Sequence, residues 1–427
     1  MFRIKLRGVD AANVFLINNG AQALLMDMIF TAVLVYRVTV AHLDALQLVL
    51  VGTALEASVF LFEVPTGIVA DVYSRRTSII IGVLITGVAF LIEGSLPTFA
   101  AIAFAEALWG FGYTFTSGAT AAWMVDEVGE ERAGRLFLRS TQVENVAGAA
   151  GIVLAMALGA IDLRLPILLG GAAFLALGAY LVAAMRETGF SPAPRDDHNP
   201  LRHMVRIFGE GIGAVRGKPL LVTILAITVI AGAASEGFDR LSTPHFIAIG
   251  WPALSLPVIG SFGDVQWYGL IRIAIMALTL AASRVAEKRL NTASHRALTL
   301  SLAGLTAVIA VSVIGFGLAP TFVAALGTYL VARTARALAE PLGQTWINQH
   351  VESRVRATVL SMNGQLDALG QIALGPLFGW LGVARSLGAA LVASGAALSP
   401  ALLLYGRALR EGPGMVEEEA VAEAQEA

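Results

Sequence analysis

The sequence contains no cysteine, and only 14% of its 427 residues are charged. The lack of cysteine excludes disulfides, thiolate zinc sites and cysteine nucleophiles. Because the chain has 29 basic and 31 acidic residues, it has no excess of basic residues with which to bind nucleic acid. A soluble domain carries roughly 25% charged residues. The shortage of charge, together with 56% apolar residues and a mean hydropathy of +0.73, indicates an integral membrane protein.

Apolar runs of about 20 residues, the length that crosses a bilayer as a helix, recur along the chain. They lie near 11–35, 44–66, 77–96, 99–123, 138–160, 165–186, 219–241, 265–284, 297–318, 321–346, 357–383 and 386–406. The sequence therefore predicts an all-α polytopic membrane protein, with 12 transmembrane helices in two six-helix halves, 1–186 and 219–410. The linker, 187–218, contains an amphipathic segment expected to lie on the membrane surface, and the acidic tail, 411–427, is expected to be disordered.

Basic residues are distributed unevenly between the two sides of the predicted spans. Most of the 29 Lys and Arg residues fall in the termini, the linker and the loops that share their side, whereas the other side receives Arg37, Arg164, Arg240 and Arg385. Because cytoplasmic loops carry the excess of Lys and Arg, both termini are expected in the cytoplasm. The predicted location is the inner or plasma membrane of the cell, which the chain crosses many times.

A short turn between the second and third spans carries an aspartate and two arginines at fixed spacing, Gly67-Ile-Val-Ala-Asp71-Val-Tyr-Ser-Arg75-Arg76. It resembles the signature loop of the major facilitator superfamily, which has a glycine, an aspartate four residues later and then a basic pair. Three positions, Val69, Val72 and Ser74, depart from that loop. The resemblance implies two six-helix halves that alternate between inward-open and outward-open states around a central site for a small molecule, in a protein that works as a monomer.

The same loop is predicted to form a gate at the cytoplasmic mouth of the helices. A carboxylate and arginines placed there can form ion pairs that hold the mouth shut. The resemblance implies this role for Asp71 and Arg75, and Glu63 is a candidate partner. The alternative is an ordinary turn with solvated charges.

Four further segments are similar to the drug:proton antiporter branch, which includes tetracycline and macrolide efflux pumps. They are 62–67, 117–120, 235–240 and 354–361. Two features depart from that branch, because Glu106 stands where an arginine is common and the fifth span lacks a glycine–proline cluster. The resemblance implies proton-coupled export of amphipathic drugs, and therefore antibiotic resistance.

Several ionisable side chains fall near the predicted middle of the membrane, where each costs at least about 2.5 kcal/mol and marks a functional candidate. These are Asp27, Glu56, Arg333 and Asp367, with Glu144 nearer the cytoplasmic end of the fifth span. A polar stripe precedes Asp27 at helical spacing and predicts the lining of a substrate cavity, Asn18, Asn19 and Gln22. Proton coupling needs a carboxylate at this depth, and Asp27 is the first candidate and Asp367 the second.

Other interpretations of these charges stay open. Arg333 is a candidate ion-pair partner for Asp27 or Asp367, since Arg336 has Glu340 one turn away, and Glu56 is an alternative member of the gate. A second set is expected to form an outer ion network, namely Glu236, Asp239, Arg240 and Arg272.

The excess of carboxylates in the first half favours a cationic or zwitterionic substrate. One rival is proton-coupled uptake or exchange of an anionic metabolite bound by arginines, and another is a membrane sensor or assembly protein without transport. Neither metal-ligand spacing nor nucleotide or catalytic motifs accompany these residues, so no metal, cofactor or enzyme activity is expected.

Overall fold

The computed structural model describes residues 10–192, 215–256, 260–352 and 355–411, with Gly209 and Gly213. In the N-terminal part, helices α1 to α7 are Ala11–Thr39, Ala45–Ile68, Arg75–Ser95, Phe99–Thr116, Ala119–Val128, Glu130–Gly159 and Arg164–Ala184. In the C-terminal part, α8 to α14 are Pro219–Ile249, Asp264–Arg289, His295–Gly317, Phe322–Gln349, Arg356–Ala384, Leu387–Ala396 and Ser399–Ala408. A short antiparallel hairpin of β1, Ser255–Leu256, and β2, Gly260–Ser261, precedes α9. The predicted surface helix and the tail beyond residue 411 lie outside the described residues.

Each predicted span coincides with one helix or with two consecutive helices, which confirms the all-α polytopic fold. Within the described residues, ten helical segments are long and apolar enough to cross a membrane. Two predicted spans fall outside that set. One is the span predicted at 99–123, which the structure divides into α4 and α5. The other is the span predicted at 321–346, where α11 carries three charged side chains, Arg333, Arg336 and Glu340.

Several spans are interrupted at residues that disfavour a regular helix. Pro65 lies inside α2, which continues directly into a π-helical turn, Val69–Tyr73. Proline lacks the amide hydrogen that the helix would use at that position. The span predicted at 99–123 is split into α4 and α5 at Gly118, whose φ of +68° lies in the left-handed region. Glycine reaches this region without the steric cost that a Cβ atom brings.

Contacts divide the chain into two compact units. The first comprises Met1–Gln47, Ala54–Leu201 and Ala253–Ile273. In it α1 packs against α6 and α7, and α3 packs against α4 and α7. The approach of α1 to α6 depends on Gly151, because a Cβ atom at this position would overlap the backbone of Leu24. Small residues at such crossings let two helix backbones come together in a membrane protein.

The second unit comprises Leu48–Thr53, Arg202–Pro252 and Ala274–Ala427. In it α8 packs against α12, α13 and α14, while α10 packs against α11, α13 and α14. Its apolar core includes Leu221, Ile224, Leu298, Trp346 and Tyr405. The indole of Trp346 stacks on the ring of Tyr405, with centroids 5.6 Å apart.

Candidate functional site

A cavity of about 470 Å³ opens within the first unit. Side chains of α1, α4, α5 and α6 line it, together with the α4–α5 break: Phe15, Asn19, Gln22, Ala23, Met26, Tyr113, Thr116, Ser117, Gly118, Thr120, Ala121, Phe137 and Glu144. Glu144 is the one charged residue among these lining residues. The cavity thus combines apolar, aromatic and uncharged polar side chains with a single carboxylate.

A chain of hydrogen bonds leads to that carboxylate from the polar stripe of α1. Gln22 Nε2 donates to Asn18 Oδ1 at 3.0 Å, and Asn18 Nδ2 donates to Asn19 Oδ1 at 3.2 Å. Asn19 Nδ2 then donates to Ser140 Oγ at 2.9 Å, and Ser140 Oγ donates to Glu144 Oε1 at 2.5 Å. Every donor in the chain points toward Glu144. The chain therefore orients the Glu144 carboxylate and favours its acceptor role.

Asp27 forms an ion pair with Arg272 of α9, and both residues belong to the first unit. Gly148 of α6 leaves the space that the Asp27 side chain occupies. The expectation that Arg272 joins an outer network with Glu236, Asp239 and Arg240 is therefore wrong. Depth along a helix can be counted from the sequence, but the direction in which a side chain points around the helix axis depends on packing.

The remaining members of that predicted network form two separate arrangements on α8. Arg240 Nε donates to Glu236 Oε2 at 3.1 Å, one helical turn away. Asp239 instead accepts from Arg333 Nη1 at 2.8 Å and from Arg336 Nη1 at 2.6 Å. One carboxylate thus binds two arginines of α11, which lie three residues apart on one helix face.

This arrangement corrects two expectations about the arginines of α11. The carboxylate that binds Arg333 is Asp239, rather than Asp27 or Asp367. Arg336 also binds Asp239, so the expected pairing of Arg336 with Glu340 is wrong. Spacing along α11 places Arg336 near Glu340, whereas the carboxylate that binds both arginines comes from another helix.

A second cavity, of about 390 Å³, lies within the second unit. Its charged lining residues are Arg336, Glu340 and Asp367, and its aromatic lining residues include Phe238 and Trp346. Asp367 accepts a hydrogen bond from Gln371 Nε2 at 2.8 Å. The predicted midplane carboxylates Asp27 and Asp367 thus have different surroundings, an arginine partner for the first and an amide donor for the second.

The aspartate and the first arginine of the signature loop belong to an ion-pair cluster at the start of α3. Arg75 binds Asp126 of α5 most closely and reaches Asp71 at 3.8 Å. The side chain of Asp71 is 61% exposed. A Cβ atom on Gly67 would meet open space, so packing does not explain a glycine there. The main partner of Arg75 is therefore Asp126, a residue that was not predicted from the sequence.

Arg76 connects the start of α3 to the chain that follows α7. Its guanidinium donates to the carbonyl oxygens of Met185 at 2.8 Å and Val182 at 2.7 Å. Its backbone amide donates to Glu187 Oε1 at 2.9 Å, and Glu187 Oε2 accepts from Ser74 Oγ at 2.7 Å. Arg76 and Glu187 therefore fasten the end of α7 to the signature loop.

Glu63 and Glu56 lie on α2, beside the α4–α5 break. Ser117 Oγ donates to Glu63 Oε1 at 3.0 Å. Both glutamates act electrostatically on the phenol of Tyr113, which lines the first cavity. In the described side-chain hydrogen bonds, the Glu63 carboxylate thus contacts the α4–α5 break rather than the arginines of the signature loop.

Three residues that build these sites were not identified from the sequence: Ser140, Asp126 and Glu187. Ser140 lies one turn before Glu144 on α6, so helical spacing could have identified it. Asp126 and Glu187 are brought to the signature loop by tertiary packing, and no local pattern marks them. In the part of the chain that the structure describes, no group of three or more His, Asp or Glu side chains is arranged to hold a metal ion.

The sequence model of the Major Facilitator Superfamily matches residues 16–376. The chain belongs to the major facilitator superfamily. A relative within this superfamily is the uncharacterized MFS-type transporter YxaM of Bacillus subtilis (strain 168), which is 23% identical over 384 residues, 88% of this chain and 91% of the relative.

Solved structures of the superfamily have the same fold. A mutant of the nucleoside transporter NupG has a TM-score of 0.72 and 14% identity, covering 93% of this chain and 100% of that one. A bacterial homolog of the human lysosomal transporter Spinster, inward-facing and unoccupied, has a TM-score of 0.73 and 16% identity, covering 95% and 98%. A peptide transporter of the POT type, in complex with sulfate, has a TM-score of 0.74 and 12% identity, covering 96% and 97%.

Identities this low show the shared fold and do not transfer a substrate. Membership of the major facilitator superfamily makes the protein a membrane-embedded transporter, with a small molecule as the implied substrate. The family and its structural relatives point to transport rather than to an enzyme activity.

Proposed function

We propose that the protein exports positively charged or zwitterionic amphipathic compounds, drugs among them, in exchange for protons. The observation that carries this proposal is the Glu144 carboxylate, the one charged residue lining the cavity of the first unit. A carboxylate at the wall of an otherwise uncharged cavity favours a ligand with a positive charge. Four successive hydrogen bonds that end at Glu144 support its role as a fixed acceptor.

The rest of the cavity suits the apolar body of such a ligand. Its volume of about 470 Å³ lies within the range of roughly 300–1,000 Å³ that small-molecule sites occupy. Phe15, Met26, Tyr113 and Phe137 supply apolar and aromatic surface. Aromatic faces also attract cations, which adds to the attraction of the carboxylate.

Proton coupling is assigned in this proposal to Asp27, with Asp367 as the second candidate. Asp27 is bound to Arg272 in the structure, so protonation of its carboxylate would remove the charge that holds this arginine. A proton therefore competes with Arg272 for the Asp27 carboxylate. A residue that couples transport to protons needs this property. Asp71, Arg75 and Arg76 are proposed to act as the cytoplasmic gate, in a monomer of the cell membrane with both termini inside.

Uptake of an anionic metabolite receives less support. The three arginines that such a substrate would use, Arg272, Arg333 and Arg336, each bind an aspartate. An anion would have to displace a carboxylate that is already hydrogen-bonded to the guanidinium, which opposes its binding.

Ethidium accumulation in everted membrane vesicles tests the proposal, with the proton gradient as the driving force. The wild type is expected to accumulate ethidium, and an uncoupler is expected to abolish the accumulation. Glu144→Gln is expected to raise the half-saturating ethidium concentration by about 10- to 100-fold, since a charge-assisted contact contributes roughly 1.5–3 kcal/mol. Glu131→Gln, an exposed residue at the start of the same helix, is the matched control and should behave as the wild type.

Two results would count against the proposal. Equal ethidium transport by the wild type and Glu144→Gln would remove Glu144 from the substrate site. Gradient-driven uptake of an organic anion by vesicles that do not accumulate ethidium would favour the arginines instead.

A further inference from the structure

Two buried histidines of the second unit meet at the place where α10 begins and where α11 and α14 end. His295 is the first residue of α10, His350 follows the last residue of α11, and the two are 7% and 4% exposed. Nδ1 of His295 lies 3.1 Å from Nε2 of His350. The other ring nitrogens reach backbone oxygens: Nε2 of His295 lies 3.2 Å from the oxygen of Ala408 in α14, and Nδ1 of His350 lies 2.7 Å from that of Trp346. Neither histidine belongs to the lining of the two cavities.

The positions of the ring protons follow from these contacts. A carbonyl oxygen only accepts hydrogen bonds, so Nε2 of His295 and Nδ1 of His350 each carry a hydrogen. A neutral imidazole has a single N–H, so in two neutral rings the nitrogens that face each other at 3.1 Å would both present lone pairs. One additional proton turns this contact into an N–H···N hydrogen bond. A further donor to either ring leaves the contact unchanged, because it places no proton between these two nitrogens.

Two features place the additional proton on His350 rather than on His295. Trp346 Nε1 donates to His295 Nδ1 at 3.4 Å, so this nitrogen of His295 acts as an acceptor. His350 also lies at the C-terminal end of α11, where the helix dipole favours a positive charge, whereas His295 lies at the N-terminal end of α10, where the dipole opposes one. His350 is therefore the ring with two N–H groups, and it donates to His295.

Other charged groups surround the histidine pair. Lys218 Nζ, just before α8, donates to Glu352 Oε1 at 2.7 Å, and Arg407 Nε of α14 donates to Glu411 Oε1 at 2.5 Å. The remaining basic side chains of the neighbouring elements are Lys288, Arg289, Arg296, Arg356 and Arg410. Both carboxylates thus have a basic partner. The described contacts that favour a positive charge on His350 are the acceptor nitrogen of His295 and the carbonyl end of α11.

We infer that His295 and His350 form a proton-binding site, which holds one proton in an N–H···N hydrogen bond with His350 as the imidazolium. Histidine exchanges its proton between about pH 5 and pH 8, so the site can fill and empty under cellular conditions. With the proton bound, the pair joins α10, α11 and α14 through three hydrogen bonds. After its release, His350 can donate to Trp346 or to His295 but not to both, so one of these bonds is lost. The junction of the three helices is therefore sensitive to pH, independently of the proposed drug export.

Solid-state NMR of the full-length protein in lipid bilayers, labelled with ¹⁵N only at histidine, tests this inference. Protonated and bare ring nitrogens have separate ¹⁵N resonances. Replacement of His42, His198 and His203 by asparagine leaves His245, His295 and His350 as the labelled residues. At about pH 5, one ring with two N–H groups is expected, together with a ¹⁵N–¹⁵N correlation across the hydrogen bond to the other ring. Both signals should vanish together as the pH is raised to about 8.

His245 is the internal control, because it is also buried and also contacts a backbone oxygen, that of Phe316 at 3.0 Å. It should keep a single N–H over the whole range, since burial favours the neutral ring.

Two variants test the pair from either side, so the test does not depend on the folding of one of them. His350→Gln removes the ring that carries the proton, and His295→Leu removes its acceptor. Each should abolish the ring with two N–H groups, because the remaining buried histidine no longer shares a proton. Two neutral rings at about pH 5, a doubly protonated ring without the ¹⁵N–¹⁵N correlation, or a doubly protonated ring that persists in either folded variant would overturn the inference.

Discussion

Replacement of Arg37 by leucine tests whether the buried cluster of Arg37 with Glu93 and Glu106 holds the first unit together. The substitution leaves two glutamates buried without their shared cation, at 1% and 0% exposure. Removing one partner of a buried ion pair costs about 3–5 kcal/mol. For a domain of 150–250 residues, each kcal/mol lowers the melting temperature by roughly 2–4 °C. The expected decrease in melting temperature is therefore roughly 6–20 °C.

The assay is thermal unfolding of the purified protein, followed by circular dichroism. Arg132→Leu is the matched control, because Arg132 also binds a carboxylate, Asp10, but both side chains are at least half exposed. Exposed ion pairs contribute about 0–1 kcal/mol, so this variant should melt close to the wild type. Equal melting temperatures for Arg37→Leu and Arg132→Leu would refute the reasoning about burial. A triple replacement with Glu93→Gln and Glu106→Gln should recover much of the loss, since it removes the unpaired charges as well.

Three further substitutions test other parts of the structure. Gly151→Leu should prevent the close approach of α1 to α6 at Leu24 and therefore reduce the yield of folded protein. Gly134→Leu on the same helix is the control and should not reduce the yield, because a Cβ atom there meets open space. Fluorescence-detected size-exclusion chromatography compares the yields of the two variants. Gly118→Ala should cost about 1–2 kcal/mol of stability, measured as a lower melting temperature, because alanine is strained at a φ of +68°; no change would mean that the break between α4 and α5 relaxes. Asp126→Asn removes the carboxylate that binds Arg75, the arginine proposed to form the gate. The variant should change the rate at which a cysteine placed in the signature loop reacts with a water-soluble maleimide. Identical labelling rates in the variant and the wild type would contradict the role of Asp126 as a partner of the gate.

Hydropathy was sufficient to predict the helices, because each span needs about 20 apolar residues whatever it packs against. The break at Gly118 was missed, since the residues on both sides of it are apolar enough for one continuous helix. Arg37 was placed on the outer side beyond the first span, yet α1 continues to Thr39 and buries it. The two glutamates that bind Arg37 come from α3 and α4, and this pairing could not be derived from spacing along one helix.

The candidate sites were predicted in part. The polar stripe of Asn18, Asn19 and Gln22 was recognised, because helical periodicity places its members along α1. Its connection to Glu144 through Ser140 depends on how α1 and α6 are rotated about their axes. The pairing of Asp27 with Arg272 depends on tertiary packing in the same way. The sequence therefore gives the position of a charge along its own helix, whereas its partner on another helix could not be predicted.

Simultaneous recording of ethidium and proton fluxes, in liposomes that contain only the purified protein, tests the central claim most directly. An imposed proton gradient should drive ethidium across the membrane against its own gradient, with protons moving in the opposite direction, and Glu144→Gln should reduce both fluxes together. Ethidium movement that is unaffected by the proton gradient, or the absence of ethidium movement by folded wild-type protein, would contradict the account.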